Sequence, residues 1–302
     1  MKTVSHTLVV RIAILFCLLT ACQPKLKNKD AFKAKIESQI DAVSGDVAIA
    51  FLNLKDTTDY LYIKADETFH AASTMKVPVM IELFKQQKAG TINIKDSIPL
   101  VNSFKSIVDG STYKMNIKDD SDDIIYSQIG QKAAIKDLLY SMITVSSNLA
   151  TNTLIERVDA KNVTATMRAL GAENIQVLRG VEDQKAYDLG LSNTTTARDL
   201  LIIFKAIATE QAGSAADCQN MISILKGQQF NDIIPYELPE DVEVAHKTGS
   251  ISGVHHDAGI VYLPNGQSYV LIILSKNLED FDKGTEQLAR ISKTVYKHVS
   301  EF

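Results

Sequence analysis

The chain has 302 residues, 45% hydrophobic and 23% charged, with a formal net charge of −4. That is an ordinary globular composition, long enough to bury a sizeable core as one large domain or two intermixed ones. The acidic balance, with no basic stripe, argues against a nucleic-acid binder.

The first segment reads as a targeting signal rather than fold. Lys2 and Arg11 precede the apolar core IAILFCLL, which is too short for a stable membrane span. It ends on Leu19-Thr20-Ala21-Cys22, which resembles a bacterial lipobox. The resemblance implies an exported, membrane-anchored lipoprotein on the periplasmic or cell-surface side, lipidated at Cys22. Residues 1–21 are then the signal peptide and residues 22–30, containing QPKLKNKD, the tether. Cleavage removes Lys2 and Arg11 and takes the net charge to −6. Cys17 lies within the signal, so only Cys218 remains and no intrachain disulfide is available. Cys218 sits in an apolar-periodic run and reads as a buried small hydrophobe.

Behind the tether, residues 31–43 have helical periodicity. DVAIAFLNL (46–54) and YLYIKA (60–65) read as strands joined by a turn. From Ser73 the pattern is helical up to Gly90. Residues 102–130 are polar and irregular. AAIKDLLYSMIT, SNLATNTLIERV and KNVTATMRALG then follow as helices between Ala133 and Gly171, and TTTARDLLIIFKAIA and AADCQNMISILKG as two more. The end of the chain changes character. EVAHKTGS, DAGIVYLP and QSYVLIILSKN are strand-like, Pro264-Asn265-Gly266 marks a hairpin, and a last helix starts near Asp280. Strands and helices at both ends predict one sheet built from both termini, with the helical middle as a second lobe and a site in the cleft between them.

The pattern S-x-x-K occurs three times, at Ser73/Lys76, Ser111/Lys114 and Ser223/Lys226. Context separates them. A serine opening a helix has free backbone N–H groups and the positive end of the dipole beside its oxygen. A lysine three residues on shares its face and can take the proton once burial or nearby cations depress its pKa. Ser73 fits, and Pro78 falls in the first turns, where a missing N–H costs least. Ser111 lies in a polar run with no apolar face. Ser223 lies within a helix whose last turn carries Lys226.

Acyl transfer by such a pair also needs a proton relay to the leaving nitrogen, donors for a substrate carboxylate and an oxyanion hole. Ser146 in VSSNLA and Lys247 in HKTGS are the relay candidates. Asn148 is placed to hold a substrate amide, and Thr248 and Ser250 to bind the carboxylate. Gly249 would let a substrate backbone lie against the strand. Ser275 to Asn277 is a second S-x-N, read as turn chemistry at a strand end. His246 and the run His255-His256-Asp257 raise a metal site, which is set aside because adjacent strand positions point to opposite faces.

The ordered set S-x-x-K, S-x-N, K-T-G resembles the serine β-lactamase and penicillin-binding protein superfamily, and the likeness to class A β-lactamases covers nearly the whole mature chain. It implies an α+β, β-lactamase/transpeptidase-like fold: an antiparallel sheet from both chain ends flanked by helices, with an inserted all-helical lobe. The catalytic domain would span 31–302, with an α/β lobe at about 31–72 and 235–302 and a helical lobe at about 73–234. The implied function is hydrolysis of the β-lactam amide through an acyl-enzyme on Ser73, conferring resistance, with Lys76, or Glu182 through water, as acylation base. The expectations are a β-lactam as substrate, contact with the membrane through a lipid anchor at Cys22, a monomeric protein, and no cofactor, metal or nucleic acid.

The loop supplying the water-activating carboxylate departs from the family pattern R-x-E-x-x-L-N. Arg179 and Glu182 are three apart rather than two, and Ala186 stands where Asn is usual. Glu182 is the expected hydrolytic base, with Asp183 its nearest rival. Against both stands a plain ion pair with Arg179 or Lys185. Ser147 replaces the usual Asp in the middle of S-x-N. A D-alanyl-D-alanine peptidase or other cell-wall hydrolase, and a β-lactam-binding lipoprotein without turnover, are the alternative functions.

Overall fold

Alternation along the strands sets the architecture. A computed structural model describes residues 29–301; the signal segment and Cys22 lie outside the described residues. Two strands come from the front of the chain, β1 (Asp46–Asn53) and β2 (Tyr60–Ile63). Three come from the back, β3 (Glu243–Ile251), β4 (Val254–Tyr262) and β5 (Ser268–Lys276). They form one antiparallel sheet in the order β2-β1-β5-β4-β3, so the two ends of the chain meet where β1 pairs with β5.

In β1, Val47, Ile49 and Phe51 point to one face and Ala48, Ala50 and Leu52 to the other. In β5, Tyr269, Leu271 and Ile273 share the first face and Val270, Ile272 and Leu274 the second. A sheet apolar on both faces must be covered on both. The first face packs on residues of α1 (Lys29–Ile40) and α9 (Phe281–Ser300), among them Ile36, Leu288, Ile291 and Val295. The second face meets the middle of the chain.

That middle comprises α2 (Lys76–Lys88), α3 (Ile135–Thr144), α4 (Asn148–Val158), α5 (Ala160–Ala169), the short α6 (Gln184–Asp188), α7 (Ala197–Ala208) and α8 (Ala215–Lys226). Most of it packs into one apolar cluster continuous with the sheet's second face. Helix α7 lies directly on β1, β4 and β5, so a range assigned from the sequence to the helical lobe also supplies a cover for the sheet. The polar stretch is largely irregular, as expected, and is tied down by two short strand pairs, Ser97–Pro99 with Lys132–Ala134 and Phe104–Lys105 with Thr112–Tyr113. Cys218 is fully buried in the apolar cluster. Among the described residues no helix is long and apolar enough to cross a membrane.

Phe51 is fully buried and packs edge-on against Phe32 of α1 and Tyr269 of β5, with ring centroids 5.8 Å away in each case. Phe51→Ala is expected to cost about 3–5 kcal/mol of stability, read as a lower urea midpoint with an unchanged slope.

Candidate active site

Ser73 stands in a single 3-10 turn, Ala72–Met75, that runs directly into α2. The turn is entered through Ala72 at φ +44°, and its backbone N–H is taken by His70 Nδ1 at 3.0 Å. Lys76, one turn on, is fully buried. Its ammonium donates to Ser146 O at 2.8 Å, Ser146 Oγ at 3.1 Å and Asn148 Oδ1 at 2.9 Å. Those are the three donors an ammonium has, so in this arrangement Lys76 is held by the S-x-N segment rather than by Ser73. Burial pushes its pKa down to about 7, against the opposing pull of Asp120 and Glu182.

Ser146 occupies the turn between α3 and α4 with φ +60°, a conformation costly for a residue with a Cβ. Its hydroxyl oxygen accepts from Lys76 and, at 3.1 Å, from Lys247 Nζ. Both acceptor positions being filled by lysines, the Ser146 proton is free to point into the cleft. Lys247 on β3 is also fully buried and donates to Thr248 O at 2.9 Å. Burial, and then the neighbouring charge of Lys76, lower its pKa far below that of an exposed lysine.

Gly249 has a packing reason that local sequence did not show. The place a Cβ would take lies 3.0 Å from Ser73 N, 3.1 Å from Thr74 N and 3.2 Å from Ala72 Cβ. The missing side chain therefore lets β3 close on the turn that carries Ser73.

Glu182 is joined to this group through Asn148, whose Oδ1 accepts from Lys76 and whose Nδ2 donates to Glu182 Oε1 at 2.8 Å. Asn148 thus bridges the buried lysine and the loop carboxylate. Glu182 adopts φ +60°, which turns it inward. Burial raises its pKa, partly offset by the bonds from Asn148 and the backbone of Asn116. The rival Asp183 is pinned elsewhere. It accepts from Ser106 Oγ and Ile107 N, both at 2.9 Å, and caps α6 through Ala186 N. Neither carboxylate forms the plain ion pair considered above. Arg179 donates to Leu191 O and Gly180 O, and Lys185 pairs with Asp109 at 2.7 Å. Ser147 is buried and caps its own helix at Ala150 N.

The other motifs are structural. Lys114 is exposed, Ser111 bonds Asp109, and Lys226 pairs with Glu243 at 2.7 Å. Ser275 bonds the backbone of His255, while Asn277 has φ +58° and holds Asp46. His246 and Asp257 do touch, ring to carboxylate at 2.8 Å, because they face the same side from paired strands. Among the described residues no group of His, Cys, Asp or Glu has the arrangement of a metal site.

Asn152 and Asp120 carry positioning bonds that sequence reasoning did not single out. Asn152 is buried on α4, four residues after Asn148 and so on the same face. It grips the residue before Glu182, with Oδ1 accepting from Val181 N at 2.6 Å and Nδ2 donating to Val181 O at 3.0 Å. That spacing was a usable signal. Asp120 accepts from the backbone of Asn148 and Leu149; nothing local distinguishes it from the carboxylates around it.

Ser73, Asn148 and Ser250 line both arms of the resulting cleft. Glu182 opens into one arm, beside His70 and Tyr187. Ser146, Thr248 and Gly249 open into the other, beside Asp232 and His255. Every site residue expected from the sequence within the described residues thus borders or backs one cleft.

This sheet, with its helical middle and a serine at the start of a buried helix, defines a β-lactamase/transpeptidase-like fold. The solved structure of a β-lactamase from Sphaerobacter thermophilus superposes with a TM-score of 0.76 at 24% identity, covering 89% of this chain and 97% of that one. A point mutant of PBP-A, described as an acyl-enzyme complex with penicillin G, superposes at 0.76 with 26% identity, over 90% of this chain and 97% of its own. Beta-lactamase 1 of Bacillus cereus is 23% identical over 282 residues, 91% of this chain and 86% of that protein. The sequence profile described as the beta-lactamase enzyme family matches residues 31–299. The chain belongs to that family.

Gly180 is where the grip of Asn152 leaves no room, since an added Cβ would stand 2.2 Å from Asn152 Oδ1. Gly180→Ala is expected to destabilise the fold by about 1–3 kcal/mol, seen as a lower melting temperature, and to make the 179–191 loop the first site of proteolytic cleavage.

Proposed function

We propose that the chain is a serine β-lactamase that opens the lactam amide through an acyl-enzyme on Ser73. The observation that carries this reading is the unbroken chain of contacts Lys247–Ser146–Lys76–Asn148–Glu182 behind Ser73. Ser73 Oγ attacks the lactam carbonyl, and its proton passes to neutral Lys76, or through a water to Glu182. The oxyanion that forms lies over the open backbone N–H of Ser73 at the helix start. As the C–N bond breaks, Ser146 gives its proton to the lactam nitrogen and is reprotonated from the lysines. Thr248 and Ser250 hold the substrate carboxylate. Glu182 then takes a proton from water, which attacks the ester and frees Ser73.

Removing the nucleophile ends the cycle. Ser73→Ala is expected to abolish nitrocefin hydrolysis, and unchanged turnover would refute the assignment. Glu182→Gln keeps acylation but lacks the base, so mass spectrometry after mixing with penicillin G should show an adduct that persists where the native chain loses it. The acylation base must be unprotonated, and Lys76 loses its proton near pH 7. The acylation rate is therefore expected to fall as the pH is lowered through that value.

The likeness to PBP-A and the alanine at 186 favour a second reading, in which the acyl group leaves slowly and the protein acts as a cell-wall peptidase or a β-lactam-binding lipoprotein. A long-lived penicillin adduct on the native chain would select it. In either reading we propose export and lipidation at Cys22. Cys22→Ser is expected to move the protein from the membrane to the soluble fraction of cells expressing it, and to abolish incorporation of labelled palmitate.

A further inference from the structure

The start of α4 carries Asn148, and Ser146 stands two residues before it in the turn that leads in, so the placement of that start decides where Lys76 is held. Its first four N–H groups have no acceptor within the helix. Two of them are met nearby, Ser147 N donating to Ser141 O at 3.2 Å and Ala150 N to Ser147 Oγ at 3.3 Å. The other two go to a residue far away in sequence. Asp120 Oδ1 accepts from Asn148 N at 2.9 Å and Oδ2 from Leu149 N at 2.8 Å.

Asp120 is itself held. Tyr126 OH donates to Oδ2 at 3.1 Å, and two residues on, Asp122 accepts from Ser141 of α3 and from Ile125 N. The same segment reaches Glu182 through the backbone N–H of Asn116. It therefore touches α3, α4 and the loop carboxylate at once.

We propose that Asp120 is a positioning residue of this site, its carboxylate closing the start of α4 from the 116–126 segment and so holding Ser146 and Asn148 against Lys76. The inference rests on the function proposed above and deepens it. In α4 Asp120 bonds only backbone, yet the residues it fixes supply all three acceptors of Lys76. A carboxylate is suited to this place, because a helix start favours negative charge. Its charge also reaches the base. Lys76 is faced by Asp120 from this segment, Glu182 from the loop and Lys247 from β3. Asp120 favours the protonated form of both Lys76 and Glu182. Taking the charge away lowers both pKa values, so the acid limb of acylation moves the same way whichever of the two accepts the Ser73 proton.

Two variants remove the charge together with half of the cap, or with all of it. Asp120→Asn loses the charge and one of the two accepting oxygens but keeps the other. Asp120→Ala loses both. Acylation by penicillin G, followed by mass spectrometry across pH, is the readout. In Asp120→Asn the acid limb is expected at lower pH than in the native chain, with a plateau rate between those of the native chain and Asp120→Ala. In Asp120→Ala the plateau is expected to fall on the order of a hundredfold, the scale of a misplaced reacting group, with circular dichroism showing the fold retained. A native plateau in Asp120→Ala, or a native acid limb in Asp120→Asn, overturns the proposal. If Asp120→Ala does not fold, the limb of Asp120→Asn decides alone. Absence of any adduct on the native chain overturns the proposed function and this inference with it, whereas equal acylation of native and variant chains overturns the inference only.

Discussion

Two buried lysines share one serine hydroxyl, and the rest of the site is arranged around that fact. Lys76 and Lys247 are both fully buried, and both donate to Ser146 Oγ at 3.1 Å. An unpaired ammonium in such surroundings is expensive, and two side by side are worse. The molecule meets the cost with oxygen acceptors on Lys76 and a depressed pKa on each lysine, so the pair does not hold two full charges near neutral pH. That same compromise makes a lysine usable as a base. A lysine comfortable in water would remain protonated and could not take a proton from a serine.

Keeping this pair in register needs three elements to meet within a few ångströms. The turn holding Ser73, the turn holding Ser146 and strand β3 come from distant parts of the chain. The turns around Ser73, Ser146 and Glu182 each include a non-glycine residue at positive φ, namely Ala72, Ser146 and Glu182. Such residues persist only where their surroundings over-determine them. Here the surroundings are specific. Gly249 admits the Ser73 turn, His70 Nδ1 takes the N–H of Ala72, and Asn152 clamps Val181 beside Glu182. The two-faced sheet below supplies the rigidity, and the apolar layer around Phe51 and Tyr269 lies on its face away from the site.

Much of this was legible in the sequence because it follows from local pattern. The strand alternation, the helix starts, the hairpin at Pro264-Asn265-Gly266 and the order of the three motifs are short-range signals. The family's ordered motifs placed Ser73, Ser146 and Lys247 on the right elements. What could not be read depends on which distant atoms meet. The bonding of Lys76 to Ser146 and Asn148, the packing of Gly249 on the Ser73 turn, and the choice of Asp120 from KDDSDD are products of folding. The substitution at Ser147 is instructive. A carboxylate is lacking from the middle of the S-x-N motif, yet the helix start still meets one, delivered by Asp120 from a segment that looked merely irregular.

Glu182 and Asp183 show how one residue of spacing separates a carboxylate that faces the cleft from one bound into the fold. They are adjacent carboxylates on the same loop. Asp183 is buried, with its two oxygens committed to Ser106, Ile107 and the cap of α6. Glu182, turned inward by its positive φ, has a single side-chain partner, Asn148, and otherwise faces the cleft. The altered spacing from Arg179 goes with that division, since among the described residues Arg179 donates to the backbone of Leu191 and Gly180 and does not set the carboxylate's position by an ion pair. Ala186 is buried in α6 and has no polar side-chain atom to offer a water near Glu182. In the proposed cycle the second half-reaction then leans on Asn148, which steadies both Glu182 and Lys76 with one amide.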